Sequence, residues 1–290
     1  MERVVLGIGG HKLAVEGGSA VRFLRLYSGA EPFLCADIDA EWTVRYGGDF
    51  VTNQHGDLLS SFVFSEIDSR CLFRRNGDEY LFEMLDGTTG SQLVAMHHRR
   101  GTAMVEATDC VDPSALRFSL WFAYSMLAAP SGVTFVHSSV IVYQGKAVLF
   151  LGESGTGKST HTRLWMNNIA DAHLLNDDSP VLAIENGKPV VYGSPWSGKT
   201  PCYVARRFPL AAIVRLSQAP YNDIRSLKVP EAFAALQPSL PPALMQDEIY
   251  ADLLIDIISS VLKTVPAYHL QCLPDADAAR MSCRTIFGGV

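Results

Sequence analysis

The 290-residue chain is poor in charge: 19% of its residues are Asp, Glu, Lys or Arg, and their balance is acidic, with a formal net charge of -6. Binding nucleic acid through its phosphates takes a clustered excess of Lys and Arg. The longest basic run here, His97-His98-Arg99-Arg100, reads as a solvated hairpin end. No nucleic-acid partner is therefore expected. Long apolar runs are missing too. Residues 116–130 come nearest to a membrane span, but Arg117 and Ser119 interrupt them and they fall short of roughly 18 apolar residues. No membrane association is expected, and the opening residues 1–12 hold too few apolar side chains for a secretory signal. The six cysteines form no C-x-x-C pair and have no histidine at zinc spacing, so reduced thiols in a cytoplasmic protein are the plain reading. Internal repeats and low-complexity stretches are absent as well. With 48% hydrophobic residues the chain reads as folded and globular.

What is present changes character along the chain. The first part reads as short strands and turns in a small antiparallel sheet unit. Residues 71–84 hold two strand-like runs around Asn76-Gly77, a pair suited to a tight hairpin turn. A second hairpin is expected around residues 98–101. Asp112-Pro113-Ser114 reads as a helix start, and the apolar residues that follow nearly encircle a helix. The domain boundary is expected near residue 110, giving a β-rich N-terminal domain (1–110) and an α/β domain (111–290) with a mixed sheet. Acidity is confined to the first part: residues 1–110 carry 10 Lys+Arg and 16 Asp+Glu, and the remainder carries 14 of each. A basic partner is expected for that acidic part. From residue 133 strands and helices alternate. Strands are expected at 134–143, 147–151, 211–216 and 268–273, and helices at 158–167, 243–264 and 275–287.

Residues 152–159, Gly152-Glu153-Ser154-Gly155-Thr156-Gly157-Lys158-Ser159, satisfy the G-x-x-x-x-G-K-[ST] pattern between an apolar strand and a proline-free helical stretch. In such a loop, glycines let the backbone wrap a phosphate closely, and successive amide N–H groups with the helix N-terminus form a positive concavity. Lys158 is expected on the β and γ phosphates, the Ser159 hydroxyl on magnesium, and Thr160 at the head of the helix. Residues 193–200 match the same formula. There Pro195 removes an amide donor, and Pro201 and Pro209 leave no room for a long helix, so a second triphosphate cradle is not expected. Lys199 is a candidate clamp on phosphate or substrate.

Asn176-Asp177-Asp178 closes a short apolar strand 19 positions after Lys158, where phosphate-loop proteins hold a magnesium-organising acid. Adjacent side chains on a strand point to opposite sides. One carboxylate is thus suited to magnesium and the other to an acceptor hydroxyl, as a base. His137 lies on the strand whose hairpin partner leads into the loop, where an imidazole can orient or tune a carboxylate. His161, in the first helical turn, either borders the site or faces solvent. Lys199 or Arg215 would meet the transferring charge. No N-K-x-D guanine motif occurs, which makes adenine the better base.

Residues 137–160 together with 174–180 resemble the kinase domain of HPr kinase/phosphorylase and its relatives, which share a phosphate-loop fold with phosphoenolpyruvate carboxykinase. The resemblance covers about residues 130–220 and rests on the histidine before the hairpin, the loop and the adjacent aspartates. It implies an α/β phosphate-loop kinase domain using ATP and Mg2+. It further implies Asp177 as base for a serine hydroxyl, Asp178 and Ser159 on magnesium, and His137 steering Asp177. The chain departs from the family in Thr160, where relatives have glutamate, and in residues 193–199, which replace the segment that follows the aspartates. The expected activity is phosphoryl transfer from ATP to a hydroxyl of a protein, peptide or small molecule, most naturally a serine. The alternative is a nucleotide-binding regulatory protein without transfer activity.

Overall fold

A computed structural model describes residues 2–36, 39–49, 56–198 and 200–288. The chain divides into two compact units, Met1–Ser131 with Ala243–Ala251, and Gly132–Pro242 with Asp252–Val290. Each contains a mixed sheet, so the architecture is mixed α/β.

The first unit holds β1 (Arg3–Ile8), β2 (His11–Glu16), α1 (Gly18–Leu26), β3 (Leu34–Cys35), β4 (Trp42–Tyr46), β5 (Asp57–Phe64), β6 (Ser69–Asn76), β7 (Glu79–Asp86), β8 (Gln92–Arg99), β9 (Met104–Ala107) and α2 (Pro113–Ala128). Both expected hairpins form: β6 pairs β7 across Asn76-Gly77, and β8 pairs β9. The sheet is larger than the small antiparallel unit expected. Its nine strands run β3-β1-β2-β4-β9-β8-β7-β6-β5, and β4 lies parallel to both neighbours. Those parallel pairings join strands distant in sequence, and hairpin signals carry no information about them.

Helix α2 starts as its sequence dictates, with the Asp112 carboxylate accepting from the Ala115 amide at 2.8 Å and Pro113 at the first helical position. Its apolar girth is used inside this unit: Phe122 stacks on Phe82 with centroids 4.1 Å apart and meets Phe73 edge-on at 5.1 Å. Truncating an aromatic so packed costs about 3–5 kcal/mol. The helix therefore belongs with the strands before it, and the first unit runs to residue 131 rather than ending near 110.

The second unit holds β10 (Val133–Phe135), β11 (Ser138–Tyr143), β12 (Lys146–Leu151), α3 (Lys158–Asn168), β13 (His173–Asp178), β14 (Val181–Glu185), β15 (Lys188–Tyr192), β16 (Arg207–Gln218), β17 (Asp223–Ser226), α4 (Val229–Leu236), most of α5 (Glu248–Leu262), β18 (Ala267–Cys272) and α6 (Ala276–Phe287). The long strand expected over 134–143 is two strands. β10 pairs β14, β11 pairs β12 and β13, and His137 stands at the break with its amide donating to the Ser239 carbonyl at 2.7 Å. The helix expected from 243 begins at 248, because the Asp247 carboxylate accepts from the Ile249 and Tyr250 amides at 3.1 and 3.0 Å. Strands β12, β16 and β18 lie side by side and parallel, so their C-terminal ends face one edge. Loops at that edge are where open α/β sheets take ligands.

In the first unit the buried His98 ring has Nδ1 2.9 Å from the Met104 carbonyl oxygen. Burial pushes its pKa below 6.5, so the folded chain takes this proton less readily than the unfolded one. Stability held by the neutral ring is present above that value and is lost as pH falls below it. The free energy of urea unfolding should drop between about pH 8 and about pH 5, and His98→Gln should flatten part of that slope. An identical slope in the variant would exclude His98 as its source.

Candidate functional site

Residues 152–159, which match the phosphate-loop pattern, sit where that pattern requires, between the end of β12 and the start of α3. Gly157 takes a left-handed conformation (φ 102°) at the helix N-cap, a turn that a side chain would strain. The first turn of α3 exposes amide donors without helical partners, a positive end suited to an anion. Lys158 folds over this concavity: its Nζ donates to the Gly152 carbonyl at 2.7 Å and the Glu153 carbonyl at 3.3 Å. Burial lowers the Lys158 pKa, while the neighbouring Asp178 and Asp177 charges pull it back up.

His137 links this lysine to Asp178. Lys158 Nζ lies 3.2 Å from His137 Nε2, and His137 Nδ1 lies 3.4 Å from Asp178 Oδ1. An ammonium has only donors, so Nε2 accepts and the ring proton sits on Nδ1, toward Asp178. Asp177 faces the other way and accepts from the Ser159 hydroxyl at 2.9 Å. The expected partnerships are thus exchanged: His137 meets Asp178 instead of Asp177, and Ser159 meets Asp177 instead of Asp178. The reason lies in the strand. Alternation sends the two carboxylates to opposite sides, and a register shift between Val140 and Ile141 in the β11–β13 pairing fixes which side each takes. Asp177 is 6% exposed, whereas the Asp178 side chain is 39% exposed.

Of the second formula match, residues 193–200, the described residues form no cradle and lead into no helix. They brace the aspartates instead. Fully buried Asn176 donates to the Trp196 carbonyl at 3.0 Å and accepts from the Ser179 amide at 3.0 Å, and the Gly198 amide donates to the Asp177 carbonyl at 2.7 Å. A Cβ on Gly198 would stand 2.8 Å from that carbonyl, so only glycine permits the approach. Asn176 was part of the sequence signal, as the residue before the aspartates, but its bracing role needs partners that sequence does not reveal. Lys199 lies outside the described residues.

A cleft of 490 Å³ opens beside the loop, lined by residues 152–156, His137, residues 215–218 and the Pro238-Ser239 turn. Arg215 lines it, and no carboxylate among the described residues pairs with its guanidinium. His161 does not face solvent. It is 3% exposed, and burial pushes its pKa down to about 4. Thr160 is exposed at the head of α3.

The donor set fits magnesium with phosphate: a hydroxyl and a carboxylate, both hard oxygen ligands, lie beside a lysine and a helix N-terminus. Among the described residues no cluster of three or more His, Cys, Asp or Glu side chains is arranged to hold a metal alone. Ser159 and Asp177 would hold the ion only together with phosphate oxygens and water. Among the described residues no helix is long and apolar enough to cross a membrane.

No protein-family model matches the chain, and no curated protein sequence matches it. Among solved structures the chain is similar to the HPr(Ser) kinase/phosphatase from Coxiella burnetii. That likeness covers 52% of this chain and 92% of the other, at 11% sequence identity and a TM-score of 0.28. A likeness of that degree says nothing about substrate or activity.

Asn176→Ala should lower the unfolding free energy by about 2 kcal/mol, because the buried Ser179 amide loses its acceptor and the Trp196 carbonyl keeps only the Ser194 hydroxyl. Urea denaturation measures this, and a loss near zero would remove Asn176 as the brace.

Proposed function

We propose that the chain is an ATP-dependent kinase that transfers a phosphoryl group to a hydroxyl, most naturally a serine of a protein or peptide. The observation that carries the reading is the linked series Asp178, His137, Lys158 beside the separate pair Asp177 and Ser159, all around one phosphate loop. Phosphoryl transfer needs little covalent help from a protein and depends on positioning and charge stabilisation. Loop amides and Lys158 would hold the β and γ phosphates. Magnesium, when bound with ATP, would neutralise charge on the phosphates.

The contacts favour roles opposite to those that the family resemblance implies. Asp177 is buried on the Ser159 hydroxyl, which suits it to the metal side. Asp178 is partly exposed and next to His137, which suits it to accept the proton of an incoming hydroxyl. His137, with its proton toward Asp178, orients that carboxylate and separates it from the Lys158 ammonium. Arg215 stands unpaired on the cleft wall, available to the charge that develops on the transferring group. Lys199 remains a proposed clamp from sequence alone.

With γ-labelled ATP, magnesium and the proteins encoded beside this one, label on a partner supports the kinase, and tight nucleotide binding without transfer supports the regulatory alternative. In the transfer assay Asp178→Asn should lower turnover by roughly 10²- to 10⁴-fold with little change in ATP affinity. Asp177→Asn should instead raise the magnesium concentration needed for half-maximal ATP binding. The opposite pattern would return the base to Asp177.

A further inference from the structure

A second cleft, of 570 Å³, lies along the other side of loop residues 155–157. Its walls come from the first turns of α3 and from the loops that follow β16 and β18. Those strands run parallel to β12, so the three loops share one sheet edge and the cleft continues directly from the phosphate loop. Leu164, Leu216, Ala219, Pro220, Leu273 and Pro274 make it largely apolar, and Thr160 lines it next to the loop. A flat aromatic ring is the kind of group that such walls take up.

One polar group is fixed inside this apolar surround. His161 lines the cleft although its side chain is otherwise enclosed, with Phe150 edge-on at 4.8 Å. Trp165 Nε1 donates to His161 Nε2 at 3.2 Å and to Ser282 Oγ at 2.9 Å. Ser282 in turn donates to the Ala278 or Ala279 carbonyl, each at 3.0 Å. Ser282 Oγ also lies 3.2 Å from Nε2, but the indole N–H is aimed at that nitrogen and can only donate, so Nε2 accepts and the ring carries its proton on Nδ1. Nδ1 has no protein partner among the described residues, and it is not among the enclosed atoms that lack one, so it is open to the cleft. A rigidly held donor that opens into an apolar cleft is a fixed point for a ligand that presents an acceptor there.

We propose that this cleft is the nucleobase subsite and that His161, held by Trp165 and Ser282, donates from Nδ1 to a ring nitrogen of adenine. The inference rests on the reading that the loop holds a nucleotide, and it adds which base is read and by which residue. Adenine presents acceptor nitrogens to such a donor. Guanine also offers N7 and O6 to that donor, so the discrimination rests on its N1–H and N2–H groups, for which the lining holds no aspartate or glutamate and only one side-chain carbonyl oxygen, that of Gln218. Adenine nucleotides are therefore preferred through a histidine in the helix that follows the loop, independently of the phosphates.

Calorimetric titration of the full chain with Mg–ATP, Mg–GTP and Mg–tripolyphosphate tests this. His161→Phe keeps the ring volume, and Trp165 Nε1 keeps Ser282 as acceptor, so the fold is retained. The variant should bind ATP about tenfold more weakly and tripolyphosphate unchanged. Ala219→Trp, which fills the cleft at its rim, should weaken ATP at least as much and again spare tripolyphosphate. Equal binding of ATP and GTP by the wild type, or ATP binding unaltered in both variants, would overturn the subsite while leaving the phosphate loop intact. Failure of the wild type to bind tripolyphosphate and both nucleotides would overturn the loop reading and the subsite together.

Discussion

The register of β11 against its two neighbours governs the candidate site. Ser139 pairs with Phe150 on one side and Asp177 on the other, and Ser138 pairs with Asp178. One six-residue strand therefore sets the end of β12, which carries the loop, beside the end of β13, which carries the carboxylates. A slip of one residue would turn Asp177 and Asp178 to each other's sides. Ser139 Oγ also donates to Thr162 Oγ1 at 3.2 Å, tying the same strand to the first turns of α3. His137 precedes the strand by one residue, so its contacts with Lys158 and Asp178 follow from that register too.

Around this strand the bracing is polar and buried, and the working groups are half open. Asn176, Ser194 and the backbone of residues 196–198 fix the aspartates from behind. His137 and Arg215 line the cleft, and the Asp178 carboxylate is partly exposed beside the His137 ring. That division suits a site whose geometry must hold to within a fraction of an ångström while its reacting face stays accessible. The parallel trio β12, β16 and β18 supplies the second half of the arrangement by ending three loops together.

Much of this was legible in sequence where the signal is local. The phosphate loop, the Asn76-Gly77 hairpin, the Asp112 cap of α2 and the closing helix after Asp275 each depend on residues a few positions apart, which capping and turn chemistry read directly. Features set by distant partners were not. Period-2 alternation says that Asp177 and Asp178 face opposite sides, but only the shift near Val140 decides which meets Ser159. The break at His137 was hidden in an unbroken apolar run, because β10 and β11 serve different neighbours. Helix α1 was missed for lack of a cap signal: Gly17, its N-cap, has no side chain to bond the helix. The size of the first sheet was underestimated because its parallel pairings leave no turn to find.

The folded-back lysine has a further consequence. The Lys158 ammonium bonds the Gly152 carbonyl and touches His137, both uncharged, so its positive charge is held over the loop without being cancelled. An anion that took Lys158 as donor would replace these bonds, and its affinity would be a difference between two sets of bonds. The same Lys158 contact leaves the His137 ring proton on the side of Asp178, so a group that drew Lys158 away would also free the histidine.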